Sequence, residues 1–146
     1  MDARHVGTCL CGAVRVTGHG EMGPVSICHC PQCLKQGAGP YMGVRFADGL
    51  DIEGDTVVWF RSSAHAERGF CRACGTILSW KMRDRDRGSA NVHLFDDTNG
   101  LRVSEEIFVD TPPDWYFAER DAPRQTRAEA LGELDKYLAT RSGDKT

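Results

Sequence analysis

The chain has 146 residues, 40% of them apolar and 27% charged, with a formal net charge of −3. This is the composition of one ordinary globular domain, and the acidic balance without a basic stripe excludes a general attraction to nucleic acid or anionic membrane. No apolar run is long enough for a bilayer-spanning helix, and the start, MDARHVGTCLCG, does not read as a secretory leader, so the expectation is a single domain over residues 1–146 in the cytoplasm.

In chain order the sequence reads as short strands. AVRVTG (Ala13–Gly18) alternates, with Val14 and Val16 on one face. PVSICH (Pro24–His29), YMGVRF (Tyr41–Phe46), TVVWFR (Thr56–Arg61), TILSWK (Thr76–Lys81), SANVHLF (Ser89–Phe95) and SEEIFVD (Ser104–Asp110) follow, each rich in β-branched and aromatic residues. Turn-forming clusters separate them, at Ala47–Gly49, Glu53–Asp55, Asp84–Gly88 and Asp96–Gly100. Strands at this spacing predict a mainly β protein of packed antiparallel sheets, a sandwich or open barrel, with its core over about residues 5–120. TPPDW (Thr111–Trp115) is proline-stiffened and reads as extended approach, not strand. One helix is predicted over about 126–139: Thr126 with Glu129 makes a capping box, and Leu131, Leu134 and Leu138 share a face that suits packing on a sheet. The last residues, RSGDKT, read as frayed.

Seven cysteines carry the chemical signal. An odd number cannot all pair as disulfides, and the cytosol disfavours such pairing. They fall as C-x-C (Cys9, Cys11), C-x-C-x-x-C (Cys28, Cys30, Cys33) and C-x-x-C (Cys71, Cys74), spacings that converge sulfurs on one metal ion. Cys11 precedes Gly12 and Cys74 precedes Gly75, as in knuckle turns. The two pairs together make a closed four-thiolate zinc site that would clip the N-terminal strand to mid-chain and stabilise a small β domain. Cys28, Cys30 and Cys33 remain. Three thiolates with an open position suit zinc that binds and activates another thiol. The alternatives are a site closed by His29, His93 or His65, a reversible Cys30–Cys33 disulfide, or three unligated small hydrophobes.

GTCLCGAVRV, CHCPQC and RSSAHAERGFCRACGTILSW, in this order, with EIFVDTPPDWY later, resemble the glutathione-dependent formaldehyde-activating enzyme family, from Gly7 to Trp115. The resemblance implies packed antiparallel sheets, a fold shared with a small zinc-binding chaperone of guanine-nucleotide-binding proteins. It implies a structural zinc at Cys9, Cys11, Cys71 and Cys74, and a catalytic zinc at Cys28, Cys30 and Cys33. The activity implied is that of a carbon–sulfur lyase joining formaldehyde to glutathione as S-hydroxymethylglutathione. The partners expected are therefore a small glutathione-like thiol and an aldehyde, with neither nucleic acid nor membrane.

Glutathione is anionic, so the site needs cations and hydrogen-bond donors. WFRSSAHAERGF offers Arg61, Ser62, Ser63 and Arg68 as binding residues, since an arginine fork matches a carboxylate; Arg45 is a further contact. Trp59, Trp80 and Trp115 read as core or pocket wall, and His93 as a half-buried strand residue. The competing function is a non-catalytic zinc module that binds a protein, a thiol or a metal.

Overall fold

Residues 3–142 are described by a computed structural model. The chain divides into two compact units, Met1–Pro113 and Asp114–Thr146. In the first, ten strands among the described residues form two sheets that do not close into a barrel, which makes the fold mainly β. The strands are β1 (Arg4–Thr8), β2 (Arg15–His19), β3 (Val25–Cys28), β4 (Tyr41–Val44), β5 (Leu50–Glu53), β6 (Val57–Arg61), β7 (Ala66–Cys71), β8 (Ile77–Met82), β9 (Gly88–Asn91) and β10 (Val103–Ile107). A short helix, α1 (Pro31–Gly37), follows β3.

The small sheet runs β1-β2-β5 and the large one β10-β3-β4-β9-β8-β7-β6. Every neighbouring pair is antiparallel except β10 with β3, which is parallel. The sheets are thus antiparallel as expected apart from this one edge, where the long return from β9 brings β10 alongside β3 in the same direction.

One buried cluster joins the two sheets. Val14 and Val16, on the predicted face, are fully buried with Val44, Leu78 and Ala90, and Val25 and Ile27 are nearly so. Each Val, Leu or Ile side chain here contributes about 1.5–3 kcal/mol on leaving water. Strand periodicity assigns Ile27 and Val44 to this core and leaves their neighbours Cys28 and Gly43 on the other face of the large sheet.

SANVHLF departs from its predicted strand. β9 ends at Asn91, whose side chain accepts a hydrogen bond from the His93 N–H (3.0 Å) and turns the chain into a single 3-10 turn over Val92–Leu94. His93 is exposed there, not half-buried in a strand.

In the second unit, α2 spans Arg127–Ser142. The predicted capping box is present, with Glu129 N–H donating to Thr126 Oγ1 (3.3 Å) and Thr126 N–H donating to Glu129 Oε2 (2.6 Å). Leu131, Leu134 and Leu138 each remain about half exposed. Most of RSGDKT, residues 143–146, lies outside the described residues. No helix among the described residues is long and apolar enough to cross a membrane.

Candidate functional site

Cys9, Cys11, Cys71 and Cys74 bring their sulfurs within 4.8 Å of one another. Two tight turns do this. The Gly12 N–H donates to Cys9 O (3.0 Å) and the Gly75 N–H to Cys71 O (2.7 Å), and both glycines have the positive φ (+81° and +76°) that a side chain would resist. The sulfurs are met by donors: Val14 N–H to Cys9 Sγ (3.3 Å), Thr56 Oγ1 to Cys71 Sγ (3.2 Å) and Thr76 Oγ1 to Cys74 Sγ (3.1 Å). Thr76 Oγ1 also accepts from the Leu10 N–H (3.0 Å), which ties one knuckle to the other. The Thr76 hydroxyl and backbone hold the Cys74 thiol down at about 5, and the Thr56 hydroxyl lowers that of Cys71. At Cys11 the Ala13 N–H favours the thiolate, but the neighbouring Cys9 sulfur, local desolvation and the Cys74 and Cys71 sulfurs together outweigh it and raise the thiol to about 11. Four sulfurs this close cannot all ionise without a cation among them.

The second cluster is Cys28, Cys30 and Cys33, again within 4.8 Å. Cys28 ends β3, and Cys30 is the N-cap of α1, its Sγ accepting from the Cys33 N–H (3.4 Å). Pro31 takes the first helical position, where its missing N–H costs nothing. One turn of helix then places Cys33 Sγ 3.3 Å from Cys30 Sγ. Burial pushes the Cys28 thiol up to about 12, with the Cys30 N–H opposing. At Cys30 burial also opposes the thiolate, but the Cys33 N–H and neighbouring thiols prevail and lower it.

This cluster opens into a cavity of about 1040 Å³. Register explains its walls. Cys28 pairs with Tyr41 and Ile107, Ser26 with Gly43 and Glu105, Trp80 with Arg68 and Ser89, and Met82 with Ala66. All of these line the cavity, so it occupies the face of the large sheet opposite the core. Tyr41 donates to Ser89 O (3.0 Å), and burial raises its phenol above the usual range. Arg68, 6% exposed, reaches from β7 under α1. Its Nη1 donates to Cys33 Sγ (3.4 Å) and Gln36 Oε1 (3.5 Å), and its Nη2 donates to Gln32 Oε1 (3.4 Å) and approaches Cys30 Sγ (4.0 Å).

The proposed binding residues separate. Arg68 and Ser63 line the cavity, as do Arg45, Arg87 and His65 at exposed positions. Arg61 is exposed outside it, donating from Nε to Ser63 O (3.3 Å), and Ser62 offers its carbonyl to Gln32 Nε2 (3.0 Å). Tyr41, Gln32, Gln36 and Arg87 carry no sequence motif; only the strand register and the first turns of α1 reveal them. A second hollow of about 850 Å³ includes Trp59, Ser79 and Lys81 and no cysteine. Lys81 is committed there to Glu67 (3.1 Å) and to the Trp59 ring (3.8 Å).

Both clusters fit zinc. A tetrahedral site with Zn–S of about 2.3 Å needs sulfurs about 3.8 Å apart. Cys9–Cys11 at 3.5 Å, Cys11–Cys71 at 3.8 Å and Cys30–Cys33 at 3.3 Å need only small adjustments. Among the described residues no histidine or carboxylate completes the three-cysteine cluster.

The sequence profile described as glutathione-dependent formaldehyde-activating enzyme matches residues 4–111. A Schizosaccharomyces pombe protein described as an uncharacterized lyase is 30% identical over 112 residues, covering 75% of this chain and 82% of that protein. The crystal structure of a Rhodobacter sphaeroides protein has the same fold, with a TM-score of 0.52 and 22% identity over 69% of this chain and 98% of that one.

Proposed function

From this chain's membership of the glutathione-dependent formaldehyde-activating enzyme family, we propose that it is a carbon–sulfur lyase that makes or breaks the S-hydroxymethyl adduct of glutathione or a similar small thiol. The carrying observation is the three-cysteine cluster, which faces a cavity and has no fourth protein donor among the described residues. The name of the yeast relative supports the lyase class.

Cys28, Cys30 and Cys33 would hold the catalytic zinc, and Cys9, Cys11, Cys71 and Cys74 the structural one. Zinc bound by three thiolates supplies a mild Lewis acid with room for one more sulfur, which it keeps as thiolate at neutral pH. The chain's own residues do the rest. Arg45 and Arg87 stand at the cavity with no carboxylate within 4 Å among the described residues, and they suit the carboxylates of the thiol substrate. Glu105, on another wall, accepts from Ser26 Oγ (2.9 Å) and suits its ammonium group. Trp80, Tyr41 and Met82 form the floor.

In the forward reaction the thiolate sulfur bonds to the formaldehyde carbon, and the carbonyl π pair moves to oxygen. A proton from water or from His65, which lines the same cavity, ends on that oxygen. In the reverse reaction the hydroxyl proton leaves, the carbonyl re-forms and the carbon–sulfur bond breaks. The protein's gain is to hold both reactants at one place with the sulfur ionised.

The test is exchange NMR between formaldehyde, glutathione and the adduct, with and without protein. Acceleration over the spontaneous rate that disappears in Cys33→Ser supports the lyase. A spontaneous rate with fully loaded protein would leave the non-catalytic zinc module as the reading.

A further inference from the structure

Among the described residues the buried polar and charged side chains are Thr17, His29, Arg68 and Ser79. Only Arg68 among them bears a permanent charge. A buried guanidinium is costly unless a negative group faces it. Among the described residues no carboxylate lies within 4 Å of it. Its neighbours are two amide oxygens, of Gln32 and Gln36, and two sulfurs, of Cys33 and Cys30. Amides are neutral, so only the sulfurs can carry the compensating charge.

We infer that Arg68 is the built-in counter-charge of the three-cysteine site, a positioning residue that allows the site to hold a divalent metal together with a fourth, anionic sulfur. This rests on reading the three cysteines as a metal site. Three thiolates, a divalent ion and Arg68 sum to zero, so an added thiolate leaves a single negative charge. Without Arg68 the same assembly carries two in a partly buried place, where each uncompensated charge is disfavoured. The four-cysteine site solves the same problem differently. Its sulfurs meet hydroxyl and backbone donors, and Cys11 is exposed to water.

The surroundings fix the guanidinium for this task. Gln32 and Gln36 lie one helical turn apart on α1 and receive its two outer nitrogens, which aims the fork at Cys33. Ser62 O in turn accepts from Gln32 Nε2 (3.0 Å), so the amide is held from both sides. Strand pairing of Arg68 with Trp80 keeps its stem on the cavity face of β7.

The test compares zinc-loaded full-length wild type, Arg68→Met and Arg68→Lys. Each is titrated with a chromophoric chelator, and native mass spectrometry then reads glutathione adducts. Met keeps the stem without the charge, and Lys keeps the charge without the fork. The expected result is a 10–100-fold loss of zinc affinity at the three-cysteine site of Arg68→Met, with no glutathione adduct, while the four-cysteine zinc is held as in wild type. Arg68→Lys should restore most of both. Retention of the four-cysteine zinc also reports folding; if Arg68→Met does not fold, Arg68→Lys decides the matter. Wild-type affinity and adduct in Arg68→Met, or loss in Arg68→Lys as large as in Arg68→Met, would overturn the counter-charge role and leave the lyase reading standing. A wild-type chain that takes up only one zinc would overturn both.

Discussion

His29 stands between Cys28 and Cys30 in sequence, yet its Nε2 lies 2.9 Å from Glu106 Oε1 on β10. The residue is 3% exposed and its ring is directed to the neighbouring strand, while its backbone N–H donates to Ile107 O (3.0 Å) and its carbonyl accepts from Thr111 Oγ1 (3.1 Å). The histidine best placed in sequence to complete the three-cysteine cluster is thus spent on tying β10 to the turn that carries the cysteines. His29→Ala is expected to destabilise the fold by about 1–3 kcal/mol, as loss of a buried hydrogen-bonded group does, and to leave two zincs bound. Urea unfolding and zinc stoichiometry check the two halves separately.

The two cysteine clusters differ in what their loss does. Cys71→Ser breaks the clip between the chain start and β7, and several kcal/mol of metal-linked stability should go with it. Cys33→Ser should lose one zinc and the activity but keep a cooperative melt near that of wild type. Thermal unfolding with metal analysis distinguishes them; equal destabilisation by both would make the second site structural as well.

Thr76 joins the knuckles by accepting from Leu10 N–H and donating to Cys74 Sγ. Thr76→Val keeps the shape and removes both bonds. Zinc affinity at the four-cysteine site should fall about 10-fold or more, with the three-cysteine site unaffected, as a chelator competition followed by mass spectrometry would show.

Substrate charge should be read by Arg45 and Arg87. Replacing either with Gln should raise KM for glutathione about 10-fold, the scale of one charge-assisted contact, and leave a neutral thiol such as 2-mercaptoethanol unchanged. Parallel kinetics with the two thiols, at low and high salt, measure this. An equal change for both thiols would remove the carboxylate role.

Much of this was legible in the sequence for physical reasons. Close cysteine spacing constrains sulfurs to converge, so both clusters could be read directly, and Val14 and Val16 announced a strand face by alternation. β7 was not legible as a strand. AERGFC buries Ala66, Arg68, Gly69 and Cys71, a charged residue and three small ones, because Ala66 and Arg68 line the cavity and Cys71 enters the four-cysteine cluster. α1 is only seven residues long and its N-cap is a cysteine, so the metal motif concealed it. The strand at Ser89–Phe95 overran because Asn91 caps a 3-10 turn through its side chain, a local bond that competes with β pairing. Arg68 was read as a carboxylate ligand for the substrate. The structure points its outer nitrogens at Cys33, Gln32 and Gln36, which only the crossing of β7 beneath α1 could reveal.

The open fourth position at Cys28, Cys30 and Cys33 is tested most directly by native mass spectrometry of the freshly reduced chain, before and after adding glutathione. Two zincs are expected, one readily removed by chelator and gaining one glutathione. Two zincs that resist chelator equally and take no glutathione would contradict an open position.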